Sequence, residues 1–193
     1  RVQCLSEILE RALKKQIIIE ELTLPDVPKS VLERFPTIVE GIETLEAKGF
    51  PVFVKDASLG GKFPVMCVAI MNPRTGGVFA SFGGHPKFEV ALERSLTELM
   101  QGRSFEGLND VLPPTFNQFA IREPNNIVEH FIDSSGVVSW KFFGEAADYE
   151  FADWNLDGST EEEYHYLMGI LIDLEKEVYI AEYEGLGANA CRI

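Results

Sequence analysis

A chain of 193 residues, 46% of them hydrophobic, is long enough to bury one sizeable core. Its 31 acidic residues against 17 basic ones give a net charge of −14, which repels a phosphate backbone and argues against direct nucleic-acid binding. The three cysteines, Cys4, Cys67 and Cys191, have no CxxC spacing, so neither a disulfide framework nor a zinc site is suggested, and no window approaches the ~20 apolar residues of a bilayer span.

No signal sequence opens the chain, and together these features lead us to expect a soluble, cytoplasmic protein with no membrane partner. A local group of arginines can still grip one phosphorylated ligand, because such a site is decided over a few ångströms.

Residues 3–19 place Leu5, Leu9, Leu13 and Ile17 at helical spacing, which predicts an amphipathic helix. Ser30 is placed to cap a short helix running to Arg34, and Pro36 opens another that carries Ile38, Val39, Ile42 and Leu45 and stops at Gly49. Strands are expected at Pro51–Val54, Val65–Met71 and Gly77–Phe82. The short connections between them favour an antiparallel meander.

The pairs Gly60-Gly61 and Gly83-Gly84 read as turns, since neither sits in a GxxxxGK[ST] or GxGxxG motif. A helix follows from about Lys87 to Gly102. A turn-rich stretch is expected over Phe105–Phe119, a short helix at Asn126–Phe131 and a loop at Tyr149–Ser159. A last helix spans Glu161–Lys176, and strands close the chain at Glu177–Tyr183 and Ala188–Ile193. The expected fold class is α/β (α+β), with helices packed on a mixed, largely antiparallel sheet in a single domain, 1–193. The open first helix and the strand-like last residues suggest a piece of a larger protein.

Two clusters carry candidate chemistry. Glu7, Glu10 and Arg11 project to nearly one side of the first helix, and two such carboxylates can hold Mg2+, a cation that takes oxygen ligands together with nucleotide phosphates. Arg94 and Glu98 stand one turn apart on the helix after Gly84, with Gln101 and Arg103 beyond them. An arginine fork grips phosphate, and a glutamate binds metal or orients the arginine.

Each cluster taken alone is more simply a solvated helix face with an ion pair. His85, His130 and His165 lack HxxxH or HExxH spacing and are assigned no role. The acidic aromatic stretches Asp148–Trp154 and Glu161–Tyr166 could engage a partner, but a solvated acidic face over buried rings is the simpler reading.

Taken together, the segments Arg1–Arg11, Asp56–Gly61 with Pro64-Val65, Ser81–Pro86 and Ala91–Arg103 resemble the YcaO family, and the resemblance covers essentially the whole chain. It implies that residues 1–193 are the C-terminal part of a single YcaO ATP-utilising domain, truncated at both ends, with ATP and Mg2+ as cofactors. Glu7 and Glu10 match metal-bridging carboxylates, Arg11 an arginine facing the phosphates, and Arg94 and Glu98 a second pair at the nucleotide. Gln101 and Arg103 lie in the same motif.

The family's implied chemistry has a nucleophile attack a peptide amide carbonyl while ATP phosphorylates the resulting oxyanion. A member of the family is associated, as an accessory factor, with β-methylthiolation of a small-subunit ribosomal protein. The implied partners are therefore ATP, a peptide or ribosomal protein substrate, a radical methylthiotransferase and a second copy of the longer protein. Further metal-binding glutamates of the family belong to a segment before Arg1, and these 193 residues do not include the proline-rich terminus found in azoline-forming members. This fragment alone is thus expected to bind ATP weakly or not at all and to be inactive. The competing expectation is a non-catalytic interaction module that partners a methylthiotransferase.

Overall fold

The computed structural model describes residues 1–102, 104–107, 138–185 and 188–193. The helix expected at Asn126–Phe131, His130, Arg103 and most of the Phe105–Phe119 stretch lie outside the described residues.

Helix α1 (Val2–Glu20) is one residue longer at each end than the apolar spacing predicts, and Leu5, Leu9, Leu13 and Ile17 form its buried stripe. Helix α2 (Lys29–Leu32) begins after Pro28, whose carbonyl accepts the amides of Val31 and Leu32. Ser30 therefore lies inside the helix and does not cap it. Helix α3 (Pro36–Ala47) starts at its proline, as the fixed φ and missing N–H of that residue favour.

Strands β1 (Val52–Asp56), β2 (Val65–Met71) and β3 (Val78–Gly84) form an antiparallel sheet in the order β1-β2-β3. Strand β1 runs two residues past the expected Val54. Lys55 pairs with Cys67, Asp56 pairs with Met66, and the buried Lys55 ammonium finds its counter-charge in Asp26 at 2.8 Å. The central strand is buried on both faces and its two-residue period sorts the core. Val65, Cys67 and Ala69 pack with Leu13 and Ile17 of α1, while Met66, Val68 and Ile70 pack with α3 and helix α4 (Phe88–Met100). The sheet is thus a middle layer between α1 and the α3–α4 pair. Helix α4 stops two residues short of the expected Gly102, because Gln101 is extended and Gly102 is left-handed.

A 3-10 turn (Trp140–Phe143) precedes helix α5 (Thr160–Asp173). Ser159 and Glu162 close a reciprocal capping box at the start of α5, satisfying amides that the helix leaves unpaired. Ser159→Ala is expected to lower stability by about 1 kcal/mol, read as a shift in the urea midpoint at constant m-value. Leu167 and Leu171 pack α5 against Val2, Leu5 and Leu9 of α1.

The acidic aromatic stretches serve the fold. The Tyr149 hydroxyl donates to the carbonyl of Asp56 at 2.6 Å, Trp154 packs on Phe88, Arg34 grips Asp153 through two nitrogens, and the buried Glu163 carboxylate holds Lys87 at 3.1 Å.

The chain closes in an antiparallel hairpin of β4 (Ala181–Gly185) and β5 (Ala188–Arg192), with every residue of β4 exposed. Strand β4 starts four residues later than expected, at the residue that pairs with Arg192. The residues just after α5, Leu174 to Lys176, still donate their amides back to that helix. Among the described residues no helix is long and apolar enough to cross a membrane.

Candidate functional site

Gly83-Gly84 forms no turn: the pair ends β3, and its physical role is close approach. Successive strand residues face opposite sides of a sheet, and here each side receives a helix. A Cβ on Gly83 would lie 2.3 Å from the Ala91 carbonyl oxygen of α4, and one on Gly84 would lie 2.7 Å from the Ser6 carbonyl oxygen of α1. Bare backbone at two consecutive positions lets α1 and α4 both touch the end of the strand, and their polar faces meet there.

At the meeting point stands Arg94, with a side chain only 17% exposed. Its guanidinium lies 3.7 Å from Glu7, 4.0 Å from Glu10 and 3.8 Å from Glu98, and it donates to the side-chain oxygen of Gln3. Gln3 also donates to Glu7 at 2.7 Å. The Gly84 amide donates to the Glu10 carboxylate at 3.0 Å, fastening that side chain to the strand end. One guanidinium thus lies within 4.0 Å of three carboxylates from two helices.

The electrostatics record the crowding. Burial, and then the Glu98 charge, push the Glu10 carboxyl up from 4.5 to about 7, against the opposing pull of the Gly84 amide, Arg94 and Lys14. Glu98 is raised as well, by burial first and by Glu7, with Arg94, Lys14 and Arg11 acting the other way.

A carboxyl whose folded pKa exceeds its unfolded value favours the folded state when protonated. Its contribution is therefore complete below about pH 4.5 and is lost as pH rises through about 7. Glu98 and Asp56, the latter buried at the end of β1, add slopes of the same sign, while His85, held low by burial, opposes them. We expect the Tm of the metal-free chain to fall between pH 4.5 and 7 more steeply than that of Glu10→Gln, and scanning calorimetry of both proteins across that window checks it.

Of the residues marked in the sequence, Glu7, Glu10, Arg94 and Glu98 come together. Arg11 is exposed on α1 and its charge reaches Glu98, while Gln101 is exposed just past the end of α4 and donates its amide to the Glu98 carbonyl. Glu7 pairs with Arg94 from the neighbouring helix at 3.7 Å. Sequence reasoning missed Lys14, which is 7% exposed, sits over the Phe82 ring and acts on both Glu10 and Glu98. Its position one turn beyond Glu10 on the same helix was the available signal. Among the described residues, no three His, Cys, Asp or Glu side chains are already set to hold a metal ion. The carboxylates surround an arginine instead.

An antiparallel sheet between helical layers, with acidic and cationic side chains of two helices converging at the end of one strand, defines a domain of the α/β type with a charged cluster at its sheet end. The chain belongs to the YcaO family: the family's model, described as YcaO cyclodehydratase, ATP- and Mg2+-binding, matches residues 1–193.

It is 56% identical over its full length to the ribosomal protein S12 methylthiotransferase accessory factor YcaO of Escherichia coli (strain K12). It is 53% identical, again over its full length, to a Haemophilus influenzae (strain ATCC 51907 / DSM 11121 / KW20 / Rd) protein whose name is "uncharacterized protein". The chain spans 33% of each of these relatives.

Two solved structures share the fold. A heterocyclase in complex with substrate and cofactor superposes at a TM-score of 0.68 with 14% identity, over 94% of this chain and 24% of that one. The heterocyclase TruD superposes at 0.66 with 17% identity, over 99% and 26%.

Proposed function

We propose that residues 1–193 form part of a single ATP-utilising YcaO domain, and that the longer protein uses Mg-ATP to activate peptide backbone amides as an accessory factor in β-methylthiolation of a small-subunit ribosomal protein. The observation that carries this reading is the convergence of Glu7, Glu10 and Glu98 on the single guanidinium of Arg94.

The donor set fits the cofactor. Carboxylate oxygens are the ligands Mg2+ takes, and a carboxyl raised by burial and by a like charge is one that a divalent cation would relieve. In this reading Glu7 and Glu10 hold the metal, Arg11 faces the phosphates, and Arg94 and Glu98, with Gln101 and Arg103 of the same motif, serve the nucleotide. Bound Mg-ATP supplies the phosphoryl group that turns an amide oxygen into a leaving group. The protein's own share is positioning and charge neutralisation, and phosphoryl transfer asks for little else.

The name of the Escherichia coli relative, an accessory factor, favours a second reading, a non-catalytic module that binds a methylthiotransferase. Calorimetric titration of ATP into the 193-residue chain and into the longer protein, each with Mg2+ and with EDTA, separates the two. We expect Mg2+-dependent binding by the longer protein and binding at least about tenfold weaker by the chain alone, a difference of ~1.4 kcal/mol or more. Binding by neither leaves the interaction module standing.

A further inference from the structure

The hairpin and the first turn of α1 bring together two thiols that the sequence places 187 residues apart. The Sγ atoms of Cys4 and Cys191 lie 3.9 Å from each other, and Cys4 Sγ is 3.6 Å from the Cys191 carbonyl oxygen. Both cysteines are partly exposed free thiols, whereas Cys67, in the middle of β2, is fully buried. The contact is bracketed by an ion pair between Arg1 and Glu182, and an open cavity of about 330 Å³ lined by Arg1, Glu182, Tyr183, Glu184, Ala190 and Cys191 gives a small molecule access to the thiol.

We propose that Cys4 and Cys191 form a reversible disulfide that latches the β4–β5 hairpin onto α1, one turn before Glu7. A disulfide needs an S–S distance of about 2.0 Å, and the thiols already touch. Rotation of the two side chains, with some yielding of the solvent-facing hairpin, closes the rest.

In the balanced step, one cysteine thiolate attacks a sulfur of a low-molecular-weight disulfide such as glutathione disulfide, releasing one glutathione and leaving a mixed disulfide. The second cysteine sulfur then displaces the other glutathione. Two cysteine thiols are oxidised, one external disulfide is reduced, and the two protons leave with the two glutathiones. Cys67 takes no part, since burial keeps it from solvent and raises its thiol pKa well above the usual range. The latch is independent of the nucleotide reading.

The test is incubation of the chain, and of the longer protein, with glutathione disulfide, followed by alkylation and non-reducing peptide mapping. We expect a peptide pair joined through Cys4 and Cys191 that dithiothreitol releases, with Cys67 still alkylated after unfolding. The crosslink should be absent in Cys4→Ser and in Cys191→Ser, each of which should trap glutathione on the remaining thiol. Recovery of both cysteines unoxidised, or carrying glutathione alone in the unsubstituted protein, overturns the proposal. So does a disulfide between two chains. None of these readouts depends on ATP, so the latch and the nucleotide site can fail separately.

Discussion

Replacing Gly83 by alanine is expected to cost at least about 3 kcal/mol and to lower the Tm by roughly 6 °C or more, or to prevent cooperative folding altogether. The added methyl group meets the Ala91 carbonyl oxygen at 2.3 Å, the Ser95 amide nitrogen at 2.7 Å and the Ser95 hydroxyl at 2.6 Å. Two of these three are helix backbone and cannot swing away. Helix α4 would have to withdraw bodily, loosening Phe88, Ala91, Leu92 and Leu99 against the sheet and breaking the bond from the Ser95 hydroxyl to the Met66 carbonyl oxygen.

Gly169 in the middle of α5 provides the control. A methyl group there meets nothing within 4 Å, so Gly169→Ala should be neutral or stabilising by up to ~1 kcal/mol through helix propensity. Equal melting temperatures for Gly83→Ala and the unsubstituted chain would mean that α4 does not sit against the strand end as described.

Glu98→Gln in the longer protein should separate folding from ligand binding. Glu98 is a carboxylate that burial and Glu7 already disfavour in its charged form, and its charge in turn raises Glu10. A neutral side chain of the same shape removes one disfavoured charge and relieves Glu10, so the Tm of the metal-free protein near neutral pH should hold or rise slightly. If the carboxylate holds Mg2+, the same change should weaken Mg-ATP binding by roughly 100-fold, about 2.7 kcal/mol, measured by calorimetry. A lower Tm with unchanged affinity would reduce Glu98 to a structural ion pair and sink the nucleotide reading.

Much of this arrangement was legible in the chain itself, for physical reasons that differ from residue to residue. Leu5, Leu9, Leu13 and Ile17 announce α1 because a helix needs a continuous apolar stripe, and the period of β2 announces itself because alternate residues meet different layers. The polar rows Glu7, Glu10 and Arg11, and Arg94 with Glu98, are equally visible as rows.

What spacing along one helix cannot say is which row faces which. The partner of Glu7 and Glu10 among the arginines is Arg94, on a different helix far along the chain, and it arrives through the bare backbone of Gly83-Gly84. Composition reads that pair as a turn, since glycine in a strand signals its purpose only once the neighbours are known. Lys55 and Asp56 hid the end of β1 for a similar reason. Charged residues suggest a strand's end until Asp26 and the amides of Ser58 and Ala152 supply their partners.

The corner between β3 and α4 is pinned from the far side too. His85 Nδ1 accepts the Lys87 amide, and the buried Glu163 of α5 holds Lys87 while lying 4.0 Å from His85 Nε2. The residue before this corner is Gly84, whose amide grips Glu10. Helix α5, which contributes none of the converging charges, is therefore tied through Lys87 and His85 to the corner that follows Gly84, and so borders the strand end whose amide holds Glu10.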